Sequence, residues 1–243
     1  MTRANPSQRM VLVTFAAGGV DAAGVDGWLR DSVTPALADA AGALAGVAWR
    51  VVRIVKGPLA FSHFATVWMA DLSPERVRAV TAIVDERLRD PAAPWVVSGS
   101  AAPAVAVAAA SAVAAPADGG RRTRACLIVP YTPREGADAD GYDQWLREVD
   151  NPFFNRQSAV AGYTNWRIVN TDRGGVAFTD FDLFQVQDEH GYERVFGENE
   201  DARLFARGWR ERWGRNPDAA DAGESSTLAV AVAVSHEPDA LEE

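Results

Sequence analysis

The sequence contains a single cysteine, Cys126, among its 243 residues. One thiol excludes an intrachain disulfide and a cysteine-rich metal site, and it is typical of proteins in a reducing compartment. No stretch approaches about 18 uninterrupted strongly apolar residues, and the first residues lack the apolar run of a secretion signal. We therefore expect a soluble, cytoplasmic protein.

Positive charge is also scarce. The 24 lysines and arginines are outnumbered by 33 aspartates and glutamates, which gives a formal net charge of −9. The longest basic cluster is the short run Arg121–Arg124. An acidic surface is repelled by nucleic acid phosphates and by anionic lipid headgroups. We therefore expect neither nucleic acid nor membrane as a partner.

The usual cofactor and metal motifs are absent. The sequence has no glycine-rich phosphate loop, no His-Glu-x-x-His and no Cys-x-x-Cys. The three histidines, His63, His190 and His236, are far apart in the sequence, and the last two are expected to be solvated. We predict no metal site and no cofactor, although haem stays open because one axial histidine would suffice.

What the sequence does contain is an internal duplication. Trp49–Asp71 aligns without a gap with Trp166–Asp188 at a shift of 117 positions, with eight identical residues. The same shift aligns Gly24–Ala38 with Gly141–Asn155 and adds six identities. The chain is therefore predicted to contain two copies of one module. We place unit 1 at residues 9–111, a linker at 112–124 and unit 2 at 125–236.

Each unit shows the same predicted order of elements. A short β-branched run such as Met10–Phe15 predicts the first strand, and a tryptophan-bearing amphipathic helix follows it. Two further strands and a second helix come next; in unit 2 this helix is predicted over Glu193–Trp213. A final strand completes the order β-α-β-β-α-β, the ferredoxin-like arrangement of the α+β class.

Two such units can enclose a cavity. A sheet with both helices on one face leaves its other face bare, and in water that face must be covered. Two units in one chain can cover each other as a closed barrel, with the helices outside and a ligand cavity inside. We therefore expect a monomer with an internal pseudo-dimer, or at most a weak homodimer.

This arrangement resembles the dimeric α/β-barrel superfamily over both units. A narrower resemblance rests on Asp150-Asn151-Pro152, Asn155 and Ala159–Val169 (AVAGYTNWRIV), which follow a tryptophan-bearing helix. This pattern resembles RedY/HapK-type proteins of prodigiosin and related alkaloid biosynthesis, which are generally single-unit chains. The resemblance implies a cofactor-independent protein of secondary metabolism whose partner is a small aromatic, pyrrole-like or indole-like molecule.

Four residues are candidates for proton transfer: His63, Asp180, Asp182 and Tyr131. His63 is the repeat partner of Asp180, and an imidazole in a cavity is a natural general acid or base; a hydrogen-bonded structural histidine is the alternative. Asp182 shares the face of Asp180, so this face is either a wet barrel interior or a partly exposed edge strand. Tyr131 replaces Phe15 of unit 1 and could donate to a carbonyl.

Five residues are candidates for substrate binding: Trp68, Trp166, Asn165, Tyr163 and Phe178. Trp68 has no tryptophan partner in the repeat, so it is the better candidate for stacking on an aromatic ligand. Trp166 recurs as Trp49, which is also typical of core packing. Tyr163 and Asn165 add polar groups where unit 1 is apolar.

These residues leave three functions open. The first is a cofactor-independent enzyme that performs cyclisation, dehydration or isomerisation by acid/base chemistry in the barrel. The second is a cofactor-free monooxygenase acting on an electron-rich phenol or quinol. The third is a non-catalytic protein that shelters an unstable intermediate. A dry, apolar cavity would favour the third function, since fold kinship alone does not fix an activity.

Overall fold

The computed structural model describes residues 9–16, 22–42, 45–69, 73–90, 93, 104–113, 124–214 and 226–234. Most of the predicted linker, and His236 with the residues after it, lie outside these ranges. No helix within them is long and apolar enough to cross a membrane.

The described elements follow the predicted order twice, which confirms the α+β ferredoxin-like class. In unit 1 they are β1 (Arg9–Phe15), α1 (Ala22–Trp28), the π-helical turn π1 (Leu29–Val33), α2 (Thr34–Ala41), β2 (Ala45–Lys56), β3 (His63–Met69), α3 (Pro74–Leu88) and β4 (Ala104–Val113). In unit 2 they are β5 (Ala125–Tyr131), α4 (Tyr142–Trp145), π2 (Leu146–Asp150), α5 (Asn151–Asn155), β6 (Gly162–Arg173), β7 (Asp180–Val186), π3 (Glu193–Gly197), α6 (Glu200–Trp213) and β8 (Leu228–Ala233).

The eight strands close into one antiparallel barrel. Their order is β1-β3-β2-β8-β5-β7-β6-β4, and β4 returns to pair with β1. Each unit contributes a four-stranded sheet, and the two sheets join where β2 pairs with β8 and where β4 pairs with β6. Register shifts occur on both of these seams, as expected where a sheet bends to close. The predicted internal pseudo-dimer is therefore present within one chain.

Apolar side chains occupy the inner face of the barrel. The inward cluster includes Met10, Leu12, Trp49, Phe64, Trp68, Cys126, Ile128, Trp166, Phe181 and Leu183. Trp68 of unit 1 and Trp166 of unit 2 meet edge to face with ring centroids 5.0 Å apart. Eight strands enclose an interior that side chains can fill. The inner face of the barrel is therefore apolar and differs from the wet interior that was one of the two environments considered for Asp180 and Asp182.

The outer face of each sheet packs against the helices of its own unit. In unit 1, strand residues such as Val13, Ala65 and Val67 pack with Leu29, Leu37 and Val80 of the helices. In unit 2, the corresponding layer is richer in aromatic residues and contains Phe154, Tyr163, Phe184, Phe196 and Phe205. The layer between sheet and helices in unit 2 is where Tyr131, Tyr163, Asn165 and Asp182 lie.

The single helix predicted over Glu193–Trp213 is interrupted. The turn π3 ends at Gly197, and α6 begins after Asn199, whose side chain accepts a hydrogen bond from the backbone N–H of Ala202. The guanidinium of Arg203 donates to the carbonyls of Phe196 and Gly197. An asparagine cap and satisfied carbonyls explain why two short helical segments replace one long helix here.

Candidate active site

Two carboxyl groups of unit 2, one buried (Asp150) and one half-buried (Asp182), share one amide. Asp150 is the last residue of π2 and Asp182 lies on β7. The side-chain nitrogen of Asn165 is 2.8 Å from Oδ2 of Asp150 and 2.9 Å from Oδ1 of Asp182. Each carboxyl also accepts a phenol: Tyr163 donates to Oδ2 of Asp150 at 2.7 Å, and Tyr131 donates to Oδ1 of Asp182 at 3.0 Å. We call Asp150 and Asp182 the carboxyl pair.

Backbone groups fix the orientation of the Asn165 amide, which lies between the two carboxyls. The backbone N–H of Tyr163 donates to Oδ1 of Asn155, so the Asn155 side-chain nitrogen faces acceptors, including Oδ1 of Asn151. The Asn151 nitrogen then donates to Oδ1 of Asn165 at 3.1 Å. Because an amide oxygen can only accept, the Asn165 nitrogen is left to donate to the carboxyl pair. The asparagines therefore form a chain of fixed polarity.

A second chain approaches Asp182 from α6. The indole nitrogen of Trp209 donates to the hydroxyl of Tyr142 at 3.2 Å, and the Tyr142 hydroxyl donates to that of Tyr131 at 3.2 Å. An indole N–H cannot accept, so the direction of these bonds is set at Trp209. The hydroxyl of Tyr131 is therefore held as a donor to Asp182.

Burial governs the protonation of these groups. Burial raises the pKa of Asp150 to about 6, against the hydrogen bonds from Tyr163 and Asn165 that favour its ionised form. Burial, together with repulsion from Asp150, raises the pKa of Asp182 well above its usual range. The pKa values of Tyr131 and Tyr163 are raised by burial, so both remain phenols. Burial and mutual repulsion therefore favour a carboxyl pair that shares one proton over a pair with two negative charges.

A duplicated backbone feature places Asp150 against the sheet. The π-helical turns π1 and π2 lie at the same positions of the two units, 117 residues apart, and each is followed by a helix with proline in its first turn. π-Helical turns are frequent at functional sites because they redirect side chains. In unit 1 the last residue of the turn is Val33, which is fully buried in the apolar layer. The backbone is thus shared by both units, and the carboxyl belongs to unit 2.

The carboxyl pair lines a cavity of about 290 Å³ between the sheet and helices of unit 2. Aromatic and aliphatic side chains form most of its wall: Val129, Phe154, Phe184, Tyr192, Phe196, Phe205, Trp209 and Leu228. Tyr131 and Tyr163 line the cavity beside the pair. Such a site suits an aromatic molecule whose reacting atoms meet polar groups at one end.

Unit 1 has apolar residues where unit 2 has the polar residues of the site. The sheet register places Phe15 opposite His63 and Tyr131 opposite Asp180, so Phe15 takes the position of Tyr131, as expected from the sequence. At the 117-residue shift, Ala65 replaces Asp182 and Ala48 replaces Asn165. Ala48 and Ala65 are fully buried in the apolar layer of unit 1. The two units have therefore diverged into one polar and one apolar copy.

The structure does not bring His63 to Asp180 or Tyr131. His63 lies on the helix-facing side of β3, where Nε2 is 3.1 Å from Oδ1 of Asp26 and Nδ1 is 3.0 Å from the Ser62 hydroxyl. Arg50 donates to the same Asp26 at 2.6 Å. Burial lowers the pKa of His63 despite the opposing effect of Asp26, and this favours a neutral imidazole.

The equivalent residues of unit 2 are also joined to one another, here through Arg167 rather than through the helix carboxylate. Arg167 binds Asp180 through Nε at 3.1 Å and Asp143 through Nη2 at 3.1 Å. Asp143, Arg167 and Asp180 are the repeat partners of Asp26, Arg50 and His63. Burial raises the pKa of Asp180, and the charge of Arg167 opposes that rise. We call each set of three a helix–sheet clip. Asp180 thus lies on the helix-facing side of β7, in neither of the two environments expected from the sequence.

The candidates for substrate binding divide between the two faces. Tyr163 and Asn165 contact the carboxyl pair, whereas Trp68, Trp166 and Phe178 pack in the inward cluster of the barrel. Among the described residues, no three His, Cys, Asp or Glu side chains come together in a way that could hold a metal ion. His190 is exposed, as expected.

Sequence reasoning did not select Asp150 or Tyr142 as site residues. The signal for Asp150 was available, because it begins the Asp150-Asn151-Pro152 motif that carries the narrower resemblance. Tyr142 is the first residue of α4 and gave no signal, since a buried tyrosine in an amphipathic helix is ordinary core.

The comparison with known families falls on this same half of the chain. Residues 125–219 match the family model of the REDY-like protein HapK. The HapK match covers β5 to α6 with the carboxyl pair, and it confirms the narrower resemblance for unit 2. None of the curated proteins shows significant sequence similarity to the chain.

Solved structures resemble the whole chain rather than one half. An anthrone oxidase-like protein superposes with a TM-score of 0.58 at 12% identity, over 96% of this chain and 93% of its own. A protein assigned as a monooxygenase from Fusobacterium nucleatum gives 0.51 at 10% identity, over 95% and 94%. A protein from Lactobacillus acidophilus, also assigned as a monooxygenase, gives 0.50 at 7% identity, over 96% and 95%. At these identities the similarity establishes the two-unit α/β-barrel fold.

Proposed function

We propose that the chain is a cofactor-independent enzyme of secondary metabolism that performs acid/base chemistry on a small aromatic substrate in the cavity of unit 2. The reaction class is cyclisation, dehydration or isomerisation. One observation carries this proposal: a buried and a half-buried carboxyl, held by donors of fixed polarity, lie in an aromatic cavity. A pair with one proton can take a proton at one oxygen and give one at another.

The hydrogen bonds assign a role to each carboxyl oxygen. Oδ1 of Asp182 accepts from Asn165 and Tyr131, so the acid proton belongs on Oδ2. Oδ2 of Asp150 accepts from Tyr163 and Asn165, which leaves Oδ1 as the basic oxygen. We assign Asp182 as the general acid and Asp150 as the general base, because repulsion from Asp150 adds to burial in raising the pKa of Asp182. Tyr131, Tyr163 and Asn165 hold the pair in position.

A dehydration illustrates the chemistry of this pair. Asp150 removes a proton from a ring carbon while Asp182 gives its proton to a hydroxyl oxygen on the neighbouring carbon. The C–O bond breaks, a C=C bond forms, and water leaves. Asp150 is then protonated and Asp182 ionised, and exchange with water restores the starting state. An isomerisation uses the same two transfers, with carbon in place of the hydroxyl oxygen as the final acceptor.

The position of the family match supports this proposal. The HapK model matches the unit that contains the carboxyl pair. The carboxyl pair and the two tyrosines in the cavity lining also favour catalysis over simple binding of an intermediate, because an apolar pocket is sufficient for binding.

Cofactor-free oxygenation is the second candidate, favoured by the names of the similar structures, an anthrone oxidase-like protein and two proteins assigned as monooxygenases. Removal of a C–H proton by Asp150 would also produce the electron-rich anion that such a reaction needs. The two candidates therefore share the first step and differ in whether oxygen is consumed.

Anthrone provides a test of both, since its CH₂ group is acidic and its ring system is aromatic. We expect the protein to accelerate exchange of the CH₂ protons in D₂O, followed by NMR. Exchange without oxygen uptake at an electrode supports the acid/base enzyme, whereas stoichiometric oxygen uptake supports the monooxygenase. The control is a double Asp150→Asn, Asp182→Asn variant. If the wild-type protein exchanges the protons of anthrone, and of fused-ring ketones of similar size, no faster than this variant, both candidate functions are contradicted.

The helix–sheet clip of unit 1 predicts a different result for His63. His63→Ala removes the bonds to Asp26 and Ser62 but leaves the cavity of unit 2 intact. We expect the free energy of unfolding to fall by about 1–3 kcal/mol, the usual cost of leaving buried partners unsatisfied. The exchange rate of the folded variant should stay within about threefold of wild type, because His63 gives or takes no proton in the reaction. A 100-fold loss in folded protein would instead assign His63 to catalysis.

A further inference from the structure

We infer that the substrate carries a carboxylate, bound at the mouth of the unit 2 cavity by Lys56, Arg207 and Arg210. This inference rests on the proposed function, since it concerns the same cavity. It specifies the substrate class as an aromatic acid and assigns an anion subsite separate from the carboxyl pair. We call the three cationic residues the basic mouth.

The charge of the cavity lining differs from that of the chain. The net charge of the protein is −9, yet the cavity lining includes Lys56, Arg203, Arg207 and Arg210. The acidic residues that line it are Asp150 and Asp182, and burial and mutual repulsion oppose two negative charges on this pair. A local excess of positive charge on an acidic protein attracts an anion to this opening.

The residues of the basic mouth form no ion pairs within the part of the chain that the structure describes. In the part of the chain that the structure describes, no carboxylate pairs with Lys56, Arg207 or Arg210, and the two arginines are exposed on α6. Arg203 differs, because its guanidinium donates to the carbonyls of Phe196 and Gly197. Three of the four cations are therefore available to a ligand, and the fourth is structural.

Unit 1 supplies one member of the basic mouth. Lys56 is the last residue of β2, which pairs with Leu228 of β8 across the seam. The same end of β2 is tied to unit 2 by Arg53, which donates to Glu193 at 2.6 Å and lies 5.6 Å from the centre of the Tyr192 ring. Unit 1 has Val33 and Ala65 at the positions of the carboxyl pair, but it contributes a cation to the cavity of unit 2.

The opposite charges in the cavity lining also orient the ligand in this inference. A carboxylate placed beside Asp150 would meet a negative charge in a poorly solvated site, which is unfavourable. The same group at the basic mouth meets two guanidinium groups and an ammonium group. The aromatic ring then extends inward along the aromatic wall, and its far end reaches the carboxyl pair. The charges thus select both the substrate class and its direction of entry.

The test compares naphthalene-2-carboxylate with naphthalene-2-carboxamide, two probes of nearly the same shape. Binding is measured by isothermal titration at low salt to the full chain and to a triple Lys56→Gln, Arg207→Gln, Arg210→Gln variant. We expect wild type to bind the carboxylate at least about tenfold more tightly than the amide, with the preference reduced by added salt. The triple variant should bind both probes equally. Arg156→Gln, an exposed arginine of unit 2 outside the cavity, should retain the wild-type preference.

Three outcomes would overturn the inference: equal affinity of wild type for the two probes, a carboxylate preference that survives in the folded triple variant, or a wild-type dissociation constant for the carboxylate above about 10 mM. Neither probe reacts, so the result does not depend on turnover. Loss of the proposed function would appear separately, as anthrone exchange that does not depend on Asp150 and Asp182.

Discussion

Replacing Asp182 with asparagine should lower the rate of anthrone proton exchange at least about 100-fold, the usual scale for losing one positioned acid. The amide oxygen of the new side chain can still accept from Asn165 and Tyr131, as Oδ1 of Asp182 does. The amide nitrogen cannot deliver a proton to the substrate. The measurement is the exchange rate by NMR for wild type and variant at the same probe concentration.

Asp180→Asn is the matched control for this variant. Asp180 lies two residues away on the same face of β7 and belongs to the helix–sheet clip with Arg167. We expect this change to reduce stability and to leave the exchange rate of the folded protein near wild type. For Asp182→Asn the free energy of unfolding at pH 7 should change by no more than about 1 kcal/mol, because a neutral acid becomes a neutral amide. An unchanged exchange rate in folded Asp182→Asn would remove Asp182 from the mechanism.

The rate should also fall steeply in acid. Burial raises the pKa of Asp150 to about 6. The proposed base is active only when ionised, so we expect the rate to drop about tenfold per pH unit below that value, or about 100-fold by pH 4. The pH–rate profile of exchange, over a range in which the far-ultraviolet circular dichroism is constant, is the measurement.

Acid should affect stability and rate in opposite directions at Asp150: as the pH falls, the rate falls but the contribution of Asp150 to stability rises. The pKa of Asp150 is higher in the folded than in the unfolded chain, so the folded state binds more protons between the two values. As pH falls from about 7 towards about 4, this group therefore adds stability, whereas carboxylates in ion pairs lose it. Asp150→Asn should remove this contribution and lower the rate at every pH. A rate that is flat between pH 7 and 4 would show that Asp150 is not the base.

The fold could be predicted from the sequence because the chain contains two copies of one module. Trp49–Asp71 and Trp166–Asp188 align without a gap, so the element order of one unit supports that of the other. The face of the sheet that carries the site was not accessible. Strand β3 is buried almost throughout, with one face against helices and one inside the barrel. When both faces are buried, polar and apolar residues no longer alternate, and strand periodicity gives no orientation.

The site was accessible only in part for similar reasons. Tyr131, Tyr163 and Asn165 were selected because they are polar where unit 1 is apolar, and Asp182 was selected because it shares the face of Asp180. All four converge on one network. Asp150 begins the Asp150-Asn151-Pro152 motif, which marks the resemblance but not the direction of the side chain, because the turn π2 that directs it to the sheet has no sequence signature. His63 and Asp180 recur at equivalent positions, but that recurrence reflects the two helix–sheet clips.

The most direct test of the account is a crystal structure of the protein soaked with anthrone. We predict one ligand per chain, between β7 and α6 of unit 2, with its CH₂ carbon and its carbonyl next to Asp150 and Asp182. Ligand density among Trp68 and Trp166 inside the barrel, or beside His63 in unit 1, would contradict the assignment of the active cavity to unit 2.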